Sequence, residues 1–247
     1  DSTERLPVLF EESVAAAEEI TEALGAQVRR AVELLIQSFS ESAADARRQG
    51  LPDPLPVRTH DSYEAAVTVM MRVVFLLFAE ERGLLPSGEL FEQGYGIAGE
   101  LERLVARQTE ESEEALDATS LTWHRLLATS QALYQGASFE NLRMPAYGGS
   151  LFDPARFAFL TATNEQGTLA ITVSDRVMLH VLRSVQIAEI KGEARRISFR
   201  DIDVEQIGYI YEGLLGYTAA IAGEVTVGLK GTLGEEPEIP LAKLEEL

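Results

Sequence analysis

The chain has 247 residues, no cysteine, and 40 acidic against 21 basic side chains, which gives a net charge of −19 with the histidines neutral. A hydrophobic fraction of 46% with 25% charged residues is typical of a globular protein with a substantial core. The lack of cysteine excludes a disulfide framework, an iron–sulfur cluster and a thiolate zinc site, and the cytoplasm is the expected compartment. The acidity argues against a free-standing nucleic-acid binder, because phosphate contacts need clustered basic side chains.

The longest apolar stretch, residues 67–79, is interrupted by Thr68 and Arg72. It is shorter than the run of about 20 apolar residues that crosses a bilayer. We therefore expect no membrane partner.

Helical periodicity dominates the first half of the chain. Apolar residues at intervals of three and four predict a long helix over 10–48, and the prolines of 51–56 end it. Two further helices are predicted over about 98–108 and over 121–135.

Another helix is predicted between these segments. Asp61 is the expected N-cap, with Glu64 in the capping-box position, and the helix ends at Arg82 with Gly83 as the stop. Its sequence is apolar on nearly all sides, which is typical of a helix in the middle of a bundle. We therefore expect Phe75 to lie in the core.

The second half begins with a long irregular stretch over 136–167 and ends with an acidic tail over 231–247. Between them, the expected elements are a helix from Ser174 to about Ala188, a short strand over Ile197–Phe199, a helix over Val204–Leu215 and a strand over Ala219–Lys230.

The predicted fold class is mainly α: a multi-helix bundle with a few short strands near the C-terminus. Three regions are expected along the chain. Residues 1–135 form the helical bundle, and 136–173 form an irregular loop that carries Tyr147-Gly148-Gly149. Residues 174–247 add helices, short strands and the acidic tail, packed on the same body.

Two patterns that suggest chemistry lack the necessary context. The segment Gly94–Gly99 matches the G-x-G-x-x-G pattern of dinucleotide-binding loops, but no buried strand precedes it, so we interpret it as a loop between helices. The histidines at 60, 124 and 180 lie far apart and have no metal-ligand spacing, so we interpret them as surface or packing residues.

An E-x-K pattern at Glu189 and Lys191 matches half of a metal-dependent nuclease site, and Asp175 or Asp153 would supply the second carboxylate. Such a site needs carboxylates that converge from a sheet. Because Glu189 follows a predicted helix and Gly192 is a helix stop, we favour a solvated helix end.

One concentrated basic patch stands out in this acidic chain: Lys191, Arg195, Arg196 and Arg200. These side chains would suit contacts to the DNA backbone. The alternative is pairing within the chain, with the nearby acids Asp201, Asp203 and Glu205.

Four parts of the chain carry a more specific pattern: Glu64–Pro86, Pro145–Pro154, Ser174–Leu182 together with Arg196–Asp201, and Asp203–Leu215. In this order and spacing they resemble the helical region of large adenine-specific DNA methyltransferases of the Type IIG-like restriction–modification and phage-defence kind. The resemblance covers about residues 60–240. Its most specific parts are Tyr147-Gly-Gly-Ser-Leu-Phe-Asp153 and Glu205-Gln-Ile-Gly-Tyr-Ile-Tyr-Glu-Gly-Leu-Leu215.

In that family the helical region precedes an S-adenosylmethionine-dependent methyltransferase domain. This second domain has a glycine-containing cofactor loop and an Asn-Pro-Pro-Tyr motif that holds the flipped adenine. The present chain contains no Asn-Pro pair. The resemblance therefore implies no catalytic, cofactor-binding or metal residue in this chain, and S-adenosylmethionine as the cofactor of the larger parent protein.

We therefore expect a non-catalytic helical domain of a restriction–modification type adenine-specific DNA methyltransferase, and leave open whether the parent also has endonuclease activity. It would position catalytic and DNA-recognition parts that are absent from this chain. Its expected partners are those other domains, and DNA through the parent. Two alternatives remain: a divalent-metal nuclease domain using Glu189 and Lys191, and a helical protein-interaction module with no DNA role.

Overall fold

The computed structural model describes residues 5–190, 193–200, 202–229 and 238–246. Over these residues the fold is mainly α, as predicted, with 56% helix and eight helices. In chain order the helices are α1 (Arg5–Arg48), α2 (Thr59–Glu81), α3 (Glu89–Gly94), α4 (Glu100–Glu110), α5 (Leu121–Gln135), α6 (Asp175–Gln186), α7 (Val204–Leu215) and α8 (Leu241–Glu245).

The helices with clear start signals lie where the sequence predicts them. Helices α5 and α7 have the predicted bounds. Helix α6 begins after Ser174, whose hydroxyl accepts a hydrogen bond from the Val177 N–H. Asp203 caps α7 in a full capping box with Gln206.

The start of α2 differs from the prediction. The helix begins at Thr59, and Asp61 lies inside its first turn, with one carboxylate oxygen 2.9 Å from the Arg58 guanidinium. The N-cap prediction for Asp61 is therefore wrong, because this carboxylate is engaged by a side chain instead of the helix backbone. The stop at Gly83 is confirmed: its φ of 65° suits a residue without a Cβ.

The described strands form three separate antiparallel pairs. These are β1 (Ala137–Phe139) with β2 (Leu142–Met144), β3 (Ile187–Ile190) with β4 (Glu193–Arg196), and β5 (Thr226–Gly228) with β6 (Glu238–Pro240). The segment 136–167 thus contains the β1–β2 hairpin and a 3₁₀ turn at Ala158–Leu160. The sequence predicts a strand over 219–230. Within the described part of this range, only β5 (Thr226–Gly228) is a strand.

The strand predicted at Ile197–Phe199 is wrong. Both named side chains are buried, but the backbone pairs with no strand, and the Phe199 N–H donates to Oε2 of Glu81 at 2.9 Å. Strand β4 ends immediately before this segment. The alternate burial of Ile197 and Phe199 therefore reflects anchoring of this segment against α2. Periodicity alone does not distinguish such an anchored segment from a strand.

The core surrounds α2, as expected for its composition. Helices α1, α6 and α7 pack on it, and α1 also packs along α6 and the β3–β4 hairpin. At the other side of the core, Phe39 of α1 contacts Trp123 and Phe159, with ring centroids 6.2 and 6.1 Å apart. The Trp123 indole donates to the Ile171 carbonyl at 3.2 Å.

Phe75 does not lie in the core. Its side chain is 39% exposed and contacts Phe152 edge-on, with centroids 5.4 Å apart. The expectation is wrong because a helix that is apolar all round gives no sequence signal for the narrow stripe that faces outward.

By length and composition, α2 is also the one described helix that could cross a membrane. Of its apolar window, 83% is buried inside the protein. A central core helix passes the same test, so this finding is weak evidence for a membrane span.

A pair of phenylalanine substitutions tests this assignment of the core. Phe39→Ala should lower the free energy of unfolding by about 3–5 kcal/mol, because it empties a fully enclosed aromatic site. Phe75→Ala should cost about 1 kcal/mol, the typical value for a point substitution. Urea denaturation of both variants measures the difference, and equal losses would contradict the assignment.

Candidate functional site

The predicted basic patch is largely paired within the chain. Arg195 lies in β4 with Nη2 3.3 Å from Glu193 Oε2, and Arg196 forms an ion pair with Glu102 at the start of α4. Both guanidinium groups are exposed, so each pair contributes little to stability. Lys191 lies outside the described residues.

Arg200 differs from Arg195 and Arg196 because no acid among the described residues pairs with it. Its Nε donates to the Glu81 carbonyl at the end of α2, at 2.9 Å. Arg82 donates from Nη2 to the carbonyls of Arg200 and Ile202, at 3.1 and 2.9 Å. Together with Gly83 these residues line an open groove at the C-terminus of α2. Within the described parts of the chain, the terminal N–H groups of Arg200 make no hydrogen bond.

The acids that the sequence suggested as partners of this patch have other roles. Asp203 caps α7, with the Val204 N–H donating to its Oδ1 at 2.6 Å. Asp201 lies outside the described residues, and Glu205 is exposed in the first turn of α7. The pairing alternative is thus wrong about Asp203, because the helix backbone engages that carboxylate.

The structure does not bring the proposed nuclease residues together. Glu189 is exposed in β3, so its expected place at a helix end is wrong: α6 ends at Gln186 and the chain enters a hairpin. Asp175 lies at the opposite end of α6, about 18 Å away for a helix of that length. Asp153 accepts from the Ala155 N–H at 2.8 Å in a separate loop. Within the described part of the chain, no cluster of three or more acids and histidines could hold a metal.

The G-x-G-x-x-G segment connects α3 and α4 without a strand, which confirms the interpretation as a helix–helix loop. Its backbone donors face a protein acid: Ile97 and Ala98 donate to the two oxygens of Glu80, at 2.6 and 3.1 Å. A Cβ at Gly96 would lie 3.2 Å from Glu80 Oε2 and 3.3 Å from the Glu92 backbone, so a side chain there would require these groups to shift. Glu80 thus occupies the position that a phosphate would need.

Burial raises the pKa of Glu80 above its ordinary value of 4.5, although the two N–H groups and Arg125 oppose the shift. The neighbouring Glu100 carboxylate adds to the increase. Glu80 is therefore a structural acid held against its preference for solvent.

The three histidines remain separate. His60 and His124 are exposed, and the His124 ring lies 2.7 Å from the Ser120 carbonyl. His180 contacts Glu113 at 3.0 Å, and this hydrogen bond holds the pKa of Glu113 below its ordinary range. The described contacts of His124 and His180 involve different partners and do not converge on one site.

A buried polar network is the feature that sequence reasoning missed. The Asp175 carboxylate is completely enclosed and accepts from Arg107, Thr119 and the Thr122 N–H, at 2.8, 2.5 and 2.9 Å. The Thr122 hydroxyl continues the network to Glu100, at 2.9 Å. The only local signal was an acid after a helix cap, which resembles an ordinary first-turn carboxylate.

The Tyr147-Gly148-Gly149 loop is fixed at the end of α5. Tyr147 and Gly148 donate their backbone N–H groups to the carbonyls of Leu133 and Tyr134, at 2.8 and 3.2 Å. Gly148 and Gly149 have φ angles of 64° and 80°, which favour glycine. The turn leaves the Tyr147 ring exposed beside Leu84.

Helix α7 presents an apolar stripe to solvent. Ile210 and Leu214 anchor the inner face, and the Tyr63 hydroxyl donates to the Leu214 carbonyl at 2.5 Å. The outer face carries what we call the α7 stripe: Val204, Gly208, Tyr211 and Leu215, spaced at four, three and four residues. Val204 and Leu215 are 63% and 58% exposed, and the space beside Gly208 is open.

Comparison of the chain with family models, with curated proteins and with solved structures finds no match.

The raised pKa of Glu80 generates a stability prediction. Glu80→Ala should lower the free energy of unfolding by at least about 1–3 kcal/mol, because it leaves the Ile97 and Ala98 N–H groups without an acceptor. Glu80→Gln imitates the protonated acid. Because the pKa of Glu80 is higher in the folded than in the unfolded state, Glu80 stabilises the wild type at low pH. This contribution is lost as the pH rises.

The stability of Glu80→Gln relative to wild type should therefore increase as the pH rises above about 4.5, the ordinary pKa of the group. Chemical denaturation of the two proteins across this range gives the difference. A difference that stays constant or decreases would show that the ionised carboxylate is the form the fold prefers.

Proposed function

We propose that this chain is a non-catalytic, mainly helical domain of a restriction–modification type adenine-specific DNA methyltransferase, and that it positions catalytic and DNA-recognition parts located elsewhere in that protein. The observation that carries the proposal is the α7 stripe. Three of its four residues lie within Glu205–Leu215, and Val204 directly precedes this range. Glu205–Leu215 is one of the two stretches with the most specific resemblance to that family. An apolar surface of this kind is suited to docking against another domain.

The attachment of α7 supports a positioning role. Its inner face is held by Ile210, Leu214 and the Tyr63 hydrogen bond, so the outer stripe is presented from a fixed support. Gly208 between the two exposed ends of the stripe lets a partner approach the helix backbone closely. A domain docked there would have its orientation set by the bundle that packs around α2.

The charge distribution supports a secondary part in DNA contact. Among the described members of the patch, Arg200 is the one whose terminal N–H groups have no described acid partner, and it lies beside Arg82 in the groove at the end of α2. A chain of net charge −19 repels phosphate elsewhere. DNA binding in this proposal therefore comes mainly from the parent, as does S-adenosylmethionine binding.

The docking role predicts the effect of Tyr211→Ser combined with Leu215→Ser in the parent protein. Loss of two apolar docking contacts should reduce the methylation rate by about tenfold or more, because each buried side chain of this size contributes about 1.5–3 kcal/mol. Both residues lie at the surface of this chain, so its own stability should change by about 1 kcal/mol or less.

The matched control is Leu121→Ser, an exposed leucine at the start of α5, which should leave the methylation rate unchanged. Methyl transfer to DNA and proteolytic release of this domain are the two measurements. A parent reading frame without an Asn-Pro-Pro-Tyr motif, or equal rates for both variants, would reject the proposal.

The DNA contact predicts a difference between two arginines. In the parent, Arg200→Ala should weaken DNA binding for all sequences and reduce the log–log salt slope by about 0.9, the value for one phosphate contact. Arg195→Ala should change neither quantity, because Glu193 already pairs with that side chain. Titrations at several salt concentrations measure both, and an unaffected Arg200→Ala protein would limit this domain to protein contacts.

A further inference from the structure

Two arginines line the open groove at the C-terminus of α2, which we call the candidate anion groove: Glu81, Arg82, Gly83 and Arg200. The groove has about 480 Å³ of open space, within the range of about 300–1,000 Å³ that is typical of small-ligand sites. Among the described residues, neither Arg82 nor Arg200 pairs with an acid. The groove thus contains two guanidinium groups and one carboxylate, in a chain whose net charge is −19.

Backbone carbonyls hold both arginines in place. Arg200 donates from Nε to the Glu81 carbonyl at 2.9 Å. Arg82 donates from Nη2 to the carbonyls of Arg200 and Ile202, and its guanidinium lies 4.4 Å from the centroid of the Phe78 ring. The positions of the two cations are therefore set before a ligand binds, which lowers the entropy cost of binding.

Donors from the protein also occupy the carbonyl groups at the end of α2. The carbonyls of residues 78–81 accept, in this order, from the N–H groups of Arg82, Leu84 and Gly83 and from Nε of Arg200. These bonds balance the negative end of the helix dipole. The terminal N–H groups of Arg200, which no described residue engages, are the donors that the groove presents to an anion.

An aromatic ring stands beside the groove. The Tyr147 hydroxyl lies 3.5 Å from the Leu84 carbonyl, and Leu84 directly follows Gly83 of the groove. The side chains of Tyr147 and Leu84 are 55% and 58% exposed. The Tyr147 N–H donates to the Leu133 carbonyl at 2.8 Å, so the ring is presented from a fixed backbone. An exposed aromatic surface and an exposed cation therefore adjoin each other.

We propose that the candidate anion groove and the Tyr147 ring bind an unpaired nucleotide of single-stranded DNA, with its phosphate on Arg82 and Arg200 and its base on the ring. A nucleotide joins an anion to a planar group through a short linker, which matches this pair of surfaces. Proteins that bind single strands combine a basic groove with aromatic stacking in the same way.

The exposed ring favours a single strand over a duplex. In a duplex, neighbouring bases cover each base face, so the Tyr147 ring has access to a base only where the strand is unpaired. The inference rests on the proposed function for the source of the strand, which is the DNA that the parent acts on. It requires nothing from the α7 stripe.

Fluorescence anisotropy of the 247-residue chain at low salt tests this site with three labelled probes. These are an oligothymidylate strand, an abasic strand of the same length, and a DNA hairpin with the same number of phosphates. The oligothymidylate should bind saturably and more tightly than both others, because it alone offers unpaired bases. No saturable binding of the oligothymidylate, or binding of either other probe with equal or higher affinity, would overturn the proposal.

Tyrosine variants locate the base. Tyr147→Ala should weaken oligothymidylate binding by at least about fivefold, the equivalent of one lost base–aromatic stack, and should leave binding of the abasic strand unchanged. Tyr147→Phe keeps the ring and should bind as wild type does. Tyr209→Ala removes an exposed tyrosine on α7, outside the groove, and is the matched control. Equal affinities of Tyr147→Ala and Tyr209→Ala would overturn the assignment.

An arginine variant locates the phosphate. Arg200→Ala should lower the log–log salt slope of oligothymidylate binding by about 0.7, the value for one phosphate contact of a single strand. An unchanged slope would place the phosphate elsewhere and overturn the assignment.

The docking variant of the proposed function separates the two ideas. The 247-residue chain with Tyr211→Ser and Leu215→Ser should bind the oligothymidylate as wild type does, because the α7 stripe lies outside the groove. Failure of the docking role appears as an unchanged methylation rate of the parent. Failure of the nucleotide site appears as lost preference for the oligothymidylate, and neither result implies the other.

Discussion

The enclosed carboxylate of Asp175 determines how three helices meet. A carboxylate without solvent requires donors for its oxygens, and Arg107 of α4, the Thr119 hydroxyl and the Thr122 N–H of α5 supply them. Ser120 makes no side-chain cap for α5, so Asp175 satisfies that helix end from a distant part of the chain. Since Asp175 also begins α6, its bonds couple the end of α4 to the starts of α5 and α6.

Helix α2 likewise holds loops in place through hydrogen bonds between its polar side chains and loop backbone groups. Most of its surface is apolar and fills the core, yet three of its polar side chains, and that of Arg82 directly after it, each hold a loop by a backbone group. These contacts are Arg72 to the Leu151 carbonyl, Glu80 to the Ile97 and Ala98 N–H groups, Glu81 to the Phe199 N–H, and Arg82 to the Arg200 and Ile202 carbonyls. The central helix therefore fixes the position of three loops as well as the packing of its neighbours, and the candidate anion groove lies at its C-terminal end.

The sequence predicted the parts of the fold that depend on local signals. Apolar periodicity located α5, and periodicity together with the Asp203 cap located α7. Both signals lie in the sequence of the helix itself or directly before it. The prediction failed at Asp61, whose carboxylate is engaged by the Arg58 side chain three residues before it, and at Phe75, which faces outward on a helix that is apolar all round. The same limit applies to the candidate site, since the pairing of Arg196 with Glu102 joins residues that no local pattern connects.

The balance of charge constrains what a domain of this kind contributes under the proposed function. Among the patch residues that the structure describes, pairing of Arg195 and Arg196 with acids leaves Arg200 as the available cation, and one phosphate contact releases about one counterion. Such a contact weakens steeply as salt rises, whereas apolar docking through the α7 stripe is not screened by salt. The two contributions therefore depend differently on ionic strength. Under the proposed function, the arrangement of domains persists at salt concentrations where DNA contact by this domain has become negligible. A positioning domain needs that property, because the geometry of the enzyme must be in place before DNA is bound.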